Sequence, residues 1–172
     1  KEGHPKHIYA SDEWADVKNT PIPLWELVDM KKYATMCIQY SRGCPFSCEF
    51  CDIPVHFGHN MRAKAKDQVL AEFESLYSHG WRGGVFIVDD NFIGNKRELK
   101  KAILPSMAEW MDNRSHPFSF TTQASIDLSA DEELMQLMVQ AGFDSVFVGI
   151  ESPNEESLTE CGKYQNKNRD LI

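Results

Sequence analysis

Cys44, Cys48 and Cys51 lie within eight residues of one another in the run "SRGCPFSCEFCDIPVHFGH", residues 41–59, and no fourth cysteine follows nearby. Thiolates are soft ligands that suit zinc and iron–sulfur clusters, and three so close together point to a metal site. A closed structural site takes four ligands, whereas a site that does chemistry keeps one position open. Two ways of filling the fourth position stand side by side. His56, with His59 as a second candidate, would complete a Cys3His zinc site and make the chain a zinc-stabilised interaction module. Alternatively, the three thiolates would hold three irons of a [4Fe–4S] cluster and leave its fourth iron for an exogenous molecule. A ferredoxin-like carrier cluster asks for a fourth thiolate. The spare thiols, Cys37 and Cys161, are instead expected to be small buried hydrophobes.

The surrounding elements are legible as an alternation. Short apolar runs at 35–41, 84–90, 118–125 and 145–152 read as buried strands. Between them, "DQVLAEFESLYSHG" puts Val69, Leu70, Phe73, Leu76 and Tyr77 on one helical face. "NKRELKKAILPSMAEWMDN" spaces Leu99, Ile103, Met107 and Trp110 as a helix, with Asn95 and Glu98 at capping-box separation and Pro105 expected to kink or split it. "SADEELMQLMVQAG" forms a third helix, with Ser129 and Glu132 as the expected capping box and Gly142 as its stop. A fourth opens near Ser152, with Pro153 at its first position. Residues 1–34 carry Pro5, Pro21 and Pro23 with little periodicity and read as a linker or arm, with one turn docking Trp25 and Leu27 on the core.

Strands alternating with amphipathic helices imply a parallel α/β sheet. It is either doubly wound or a (βα) barrel, and no glycine-rich dinucleotide fingerprint follows the first strand to favour the former. Polar candidates cluster just after strand ends, where both architectures place their sites: the cysteines, then Asp89, Asp90 and Asn91, then Gln123 and Ser125, then Glu151. Four strands cannot close a barrel, and the last is expected to present an unpaired apolar edge.

The chain has 172 residues, of which 42% are hydrophobic, so one ordinary domain with a core is expected. A formal net charge of −8 argues against a nucleic-acid backbone as the main partner. No apolar run approaches the ~20 residues of a membrane span, and no secretory signal opens the sequence. Five cysteines in that setting favour a reducing cytoplasm. The sequence begins at Lys1 and ends in "NKNRDLI", which reads as a piece of a longer protein.

The segment Cys44-Pro-Phe-Ser-Cys48-Glu-Phe50-Cys51, with three and then two residues between the thiols and an aromatic before the third, resembles the signature of the radical S-adenosylmethionine (SAM) enzymes. Longer runs, "PLWELVDMKKYATMCIQYSRGCPFSCEFCDIP", "FIVDDNFIGNKRELK", "TTQASIDLS" and "VFVGIESPNEESL", are similar to its cobalamin-associated branch, and within that to methylases of hopanoid-type lipids. The similarity covers the chain from about residue 21 onward.

The resemblance implies a partial TIM-type barrel, of which this chain holds about four βα units of an expected six, with residues 1–34 linking to a cobalamin-binding domain and 35–172 forming the first part of the core. It implies that Cys44, Cys48 and Cys51 ligate a [4Fe–4S] cluster whose open iron chelates SAM, for reductive cleavage to a 5′-deoxyadenosyl radical. Phe50 would pack near the adenine, and Asp89, Asp90 and Asn91, in place of the commoner Gly-Gly-Glu, would hold the SAM amino group. Gln123 and Ser125 would touch SAM or substrate, and Glu151 the ribose or methionine end. Each also has a plain structural reading: a loop plug for Phe50, a helix-end acidic cap for the Asp pair, a turn for Gln123 and Ser125, a surface carboxylate for Glu151. The implied parent reaction is cobalamin-dependent methylation of an unreactive carbon in a small-molecule or lipid-like substrate. A flavodoxin- or ferredoxin-type donor would supply the electron.

Overall fold

The computed structural model describes residues 3–5 and 7–169. Four strands, β1 (Thr35–Ile38), β2 (Gly83–Ile87), β3 (Phe118–Ala124) and β4 (Phe143–Val148), pair in that order, all parallel. Ile38 lies opposite Ile87, Ile87 opposite Thr122 and Ala124 opposite Val148, so the strands deliver their ends to one edge of the sheet.

The period-two alternation of a strand sorts the two faces. Met36, Ile38, Val85, Ile87, Phe118 and Phe120 are buried, under α1 (Lys66–Ser78), α2 (Leu104–Asp112) and α3 (Glu132–Gln140). Phe73 of α1 centres an aromatic cluster with Trp110, Phe118 and Phe120, at ring separations of 5.6, 6.3 and 5.1 Å. The other face carries Thr35, Cys37, Phe86, Thr121, Gln123 and Phe147 around an open hollow of about 490 Å³. Helices on one face and a hollow on the other make this a wall of a (βα) barrel and not a doubly wound sheet. Phe147, on the edge strand β4, faces this hollow and is 66% exposed.

Several local expectations are corrected. Cys37 is exposed because its neighbours Met36 and Ile38 take the core face, and Cys161 is only half-buried. The N-terminal segment makes three 3-10 turns, Val17–Asn19, Trp25–Leu27 and Met30–Lys32; Trp25 is buried, but Leu27 projects outward at 77% exposure. Pro105 stands in the first turn of α2, and the regular α-helix is interrupted just ahead of it, as expected: a π-helical stretch, Leu99–Ile103, supplies the wider turn that precedes the proline. Asn95 does accept from the Glu98 N–H, at 3.2 Å. The final helix, α4 (Glu155–Glu160), is capped by Asn154, whose side chain accepts from the N–H groups of Glu156 and Ser157, so Pro153 lies outside it.

The cap of α3 also differs from expectation. Asp131 accepts from the Leu134 N–H at 3.1 Å, while the Ser129 hydroxyl donates to the Ile126 carbonyl within a preceding 3-10 turn. Asp131→Ala is therefore expected to lower stability by about 1 kcal/mol, with Ser129→Ala close to neutral. Urea midpoints of the two variants check this, and the reverse order would restore Ser129 as the cap.

Beside the sheet, Ser41–Arg42 pairs antiparallel with Arg62–Ala63, closing the loop that carries the cysteines. Lys64, next in the chain, forms an ion pair at 2.5 Å with Glu72 of α1, and both side chains are buried. Burial pushes the Glu72 carboxyl above its ordinary range, and the Lys64 ammonium pulls against that. No helix among the described residues is long and apolar enough to cross a membrane.

Candidate active site

The cysteine loop is pinned from below by the end of β2. Asp89, fully buried, accepts from the N–H groups of Tyr40 and Ser41, each at 2.8 Å, and from the Ser41 hydroxyl at 2.5 Å. Asp90 accepts from the Gly43 N–H at 2.8 Å. Gly43 sits at φ +102°, and a Cβ there would stand 3.0 Å from the Gly58 carbonyl, so the loop crosses itself at a point only glycine fits. The short helix Ile53–Phe57 completes the crossing, and Cys44 N–H reaches the Gly58 carbonyl at 3.4 Å.

Burial pushes the Asp89 carboxyl up to about 6, against the Ser41 and Tyr40 hydrogen bonds and with the Asp90 charge adding. The folded protein thus holds this proton to higher pH than the unfolded chain, with its ordinary value of 3.8. The contribution to stability is fully present below that value and is lost as pH rises through about 6. The stability of the wild type relative to Asp89→Asn should therefore fall between pH 4 and 7, as read from urea midpoints. A difference that grows with pH would show that the hydrogen bonds outweigh burial.

The three thiols open on a cavity of about 310 Å³. Asp90 and Asn91 after β2, Gln123 and Ser125 from β3, and Glu151 after β4 line it together with Phe50. Asp89 stands outside the lining, behind the loop it tethers. Asn91, buried, ties two strand ends together: its Nδ2 donates to Ser125 Oγ at 3.1 Å and its Oδ1 accepts from the Ser125 N–H at 3.2 Å. The Ser125 hydroxyl also meets Asp127. Burial acts to raise the Asp127 carboxyl, but hydrogen bonds from Lys96 and Ser125 prevail and hold it below the usual range.

Two lining residues, Lys163 and Gln165, come from the polar segment after α4, where no periodicity flagged them. Lys163 is ion-paired with Glu151 and lies 5.5 Å from the centroid of the Phe50 ring. Glu151 adopts φ +63°, and a Cβ on Gly149 would collide with its Oε1 at 2.6 Å and with Lys163 Nζ at 2.9 Å. The bare backbone of Gly149 is what seats the pair.

His56 does not join this constellation. Its side chain is 64% exposed, points to Asp52 at 3.7 Å and does not line the cavity. Among the described residues, no group of three or more His, Cys, Asp or Glu side chains converges on a single-ion position. The three cysteines instead share the lining of one cavity. Burial pushes the Cys44 thiol up, and Cys51 and Cys48 push it further, against hydrogen bonds at Phe46 and Asn91. A cationic body between the thiolates would relieve that repulsion.

Residues 38–171 match the Radical SAM superfamily. The chain belongs to that superfamily. It is 48% identical, over 99% of its length, to an uncharacterized methyltransferase of Synechocystis sp., and 38% identical, over 92%, to the hopanoid C-2 methylase of Rhodopseudomonas palustris. These alignments cover 32% and 30% of those proteins, so the chain spans about a third of the length of the relatives it matches. Among solved structures, it resembles the radical SAM methyltransferase TsrM from Kitasatospora setae, solved with cobalamin and a [4Fe-4S] cluster bound, with a TM-score of 0.67 over 76% of this chain and 26% of that one, at 23% identity. The likeness is one of fold.

Proposed function

We propose that this chain is the first part of the catalytic core of a radical SAM methyltransferase, with Cys44, Cys48 and Cys51 ligating a [4Fe–4S] cluster. The observation that carries the reading is the single cavity shared by the three thiols and the polar ends of the following three strands. Cys44, Cys48 and Cys51 would hold the cluster, which when reduced would supply the electron for reductive cleavage of SAM to a 5′-deoxyadenosyl radical.

The chain's own residues bind and orient. Phe50, 58% exposed at the cavity, offers an aromatic face to the adenine. Asp90, with one carboxylate oxygen committed to Gly43, keeps its other for the SAM amino group, and Asn91 and Ser125 hold each other's polar atoms fixed beside it. Gln123 projects from the same strand, and Glu151 meets the polar end of the cofactor with its Lys163 partner. Asp89 acts through the loop by holding Tyr40 and Ser41.

The methylase relatives support a parent protein that transfers a methyl group through cobalamin to an unreactive carbon of a small or lipid-like substrate. Residues 1–34 would be the link to its cobalamin domain and 35–172 the start of the core; the family match beginning at 38 supports that division. A reduced flavodoxin- or ferredoxin-type protein would be the donor, in a reducing cytoplasm that suits five unpaired cysteines.

Electron paramagnetic resonance tests the reading directly. The protein is reconstituted anaerobically with iron and sulfide, reduced, and measured with and without SAM. A [4Fe–4S]⁺ signal that shifts on adding SAM is expected. A signal indifferent to SAM, or bound zinc in place of iron, would overturn it.

A further inference from the structure

After α4 the chain turns back along the cysteine loop and is fastened on two sides. Gly162, at φ +68°, lies so near the loop that a Cβ would stand 3.0 Å from the Ser47 carbonyl, and the Cys161 carbonyl accepts from the Glu49 N–H at 2.9 Å. On the other side Asn166, buried, donates from Nδ2 to the carbonyls of Gly149 at 2.9 Å and Ile150 at 3.0 Å, fixing the turn to the end of β4. Between these fastenings stands Gln165, whose Nε2 donates to Cys48 Sγ at 3.4 Å. The neighbouring contacts hold the turn without it, so its amide is free to face the sulfur.

Resting on the cluster reading above, we infer that Gln165 is a positioning residue that sets the reduction potential of the cluster through its N–H···S hydrogen bond to Cys48. A glutamine amide is neutral at every pH and presents a fixed donor. When the cluster takes up an electron, negative charge grows on its sulfurs, and a donor aimed at one of them stabilises the reduced form more than the oxidised one. Such outer contacts tune metal sites without ligating them.

The test is a potentiometric titration of the holoprotein, following the reduced-cluster resonance. Gln165→Met keeps the reach and bulk of the side chain and removes the donor, while Gln165→Glu places a negative charge at the sulfur. The midpoint is expected to move to more negative potential in the first variant and further in the second. At the potential that half-reduces the wild type, the signal should fall several-fold. A midpoint unchanged in Gln165→Met, at full iron content, overturns the inference. If that variant loses iron, Gln165→Asn, which shortens the reach of the amide, carries the same test; loss of iron there too overturns tuning in favour of simple retention. Wild-type protein that gives no [4Fe–4S]⁺ signal at all would instead defeat the cluster reading itself, before Gln165 is examined.

Discussion

Alanine at any one of Cys44, Cys48 or Cys51 should reduce the iron and sulfide content of the reconstituted protein to near zero and abolish its brown colour. Each thiolate would hold one iron, and nothing nearby replaces it. His56 faces Asp52 and solvent, away from the cavity. Cys161 approaches the loop through its backbone, with its thiol turned 3.6 Å from the Leu158 carbonyl. His56→Ala is expected to keep full iron content, which separates the cluster from a Cys3His zinc site in one comparison. Metal analysis of the four variants decides. Loss of metal in His56→Ala alone would reinstate the zinc module.

The second large effect is on stability. Lys64→Met should cost about 3–5 kcal/mol, because it leaves the Glu72 carboxylate buried without its partner. Glu72→Leu alone should cost a similar amount for the opposite reason, whereas the double variant Lys64→Met/Glu72→Leu should return close to the wild type, since a packed apolar pair carries no desolvation penalty. Urea unfolding of the three variants checks the cycle; additive losses would show that packing and not pairing dominates. Lys64 also donates its N–H to the Tyr40 carbonyl at 2.9 Å, beside the short ladder that closes the cysteine loop. The single variants should therefore retain iron less well than the double.

Much of this site was legible because two periodicities and one spacing carry it. The 3.6-residue rhythm located α1, α2 and α3, the apolar runs located four strands, and the cysteine spacing picked out three residues that line one cavity. Every polar candidate named at a strand end except Asp89 lines the cavity. Asp89 was misplaced as a contact although its alternation gives it away: Val85, Ile87 and Asp89 fall on the buried face in turn. Lys163 and Gln165 were invisible, because their positions depend on how a glycine turn folds back over a distant loop, and tertiary packing leaves no mark on local pattern. Ser129 lost the cap to Asp131 because a 3-10 turn used its hydroxyl first, and local spacing alone does not distinguish the two.

Several contacts that hold the cysteine loop use no thiol. Asp89 holds Tyr40 and Ser41, Asp90 holds Gly43, Ser41–Arg42 pairs with Arg62–Ala63, and the Cys161 carbonyl holds Glu49. Damage and repair are thereby uncoupled from folding. If the proposed cluster is held there, its loss to oxygen would take away ligand bonds but leave these tethers standing, and a new cluster would meet a loop already in shape. Inactivation in air should then be reversible by reassembly, with no refolding chaperone in the path.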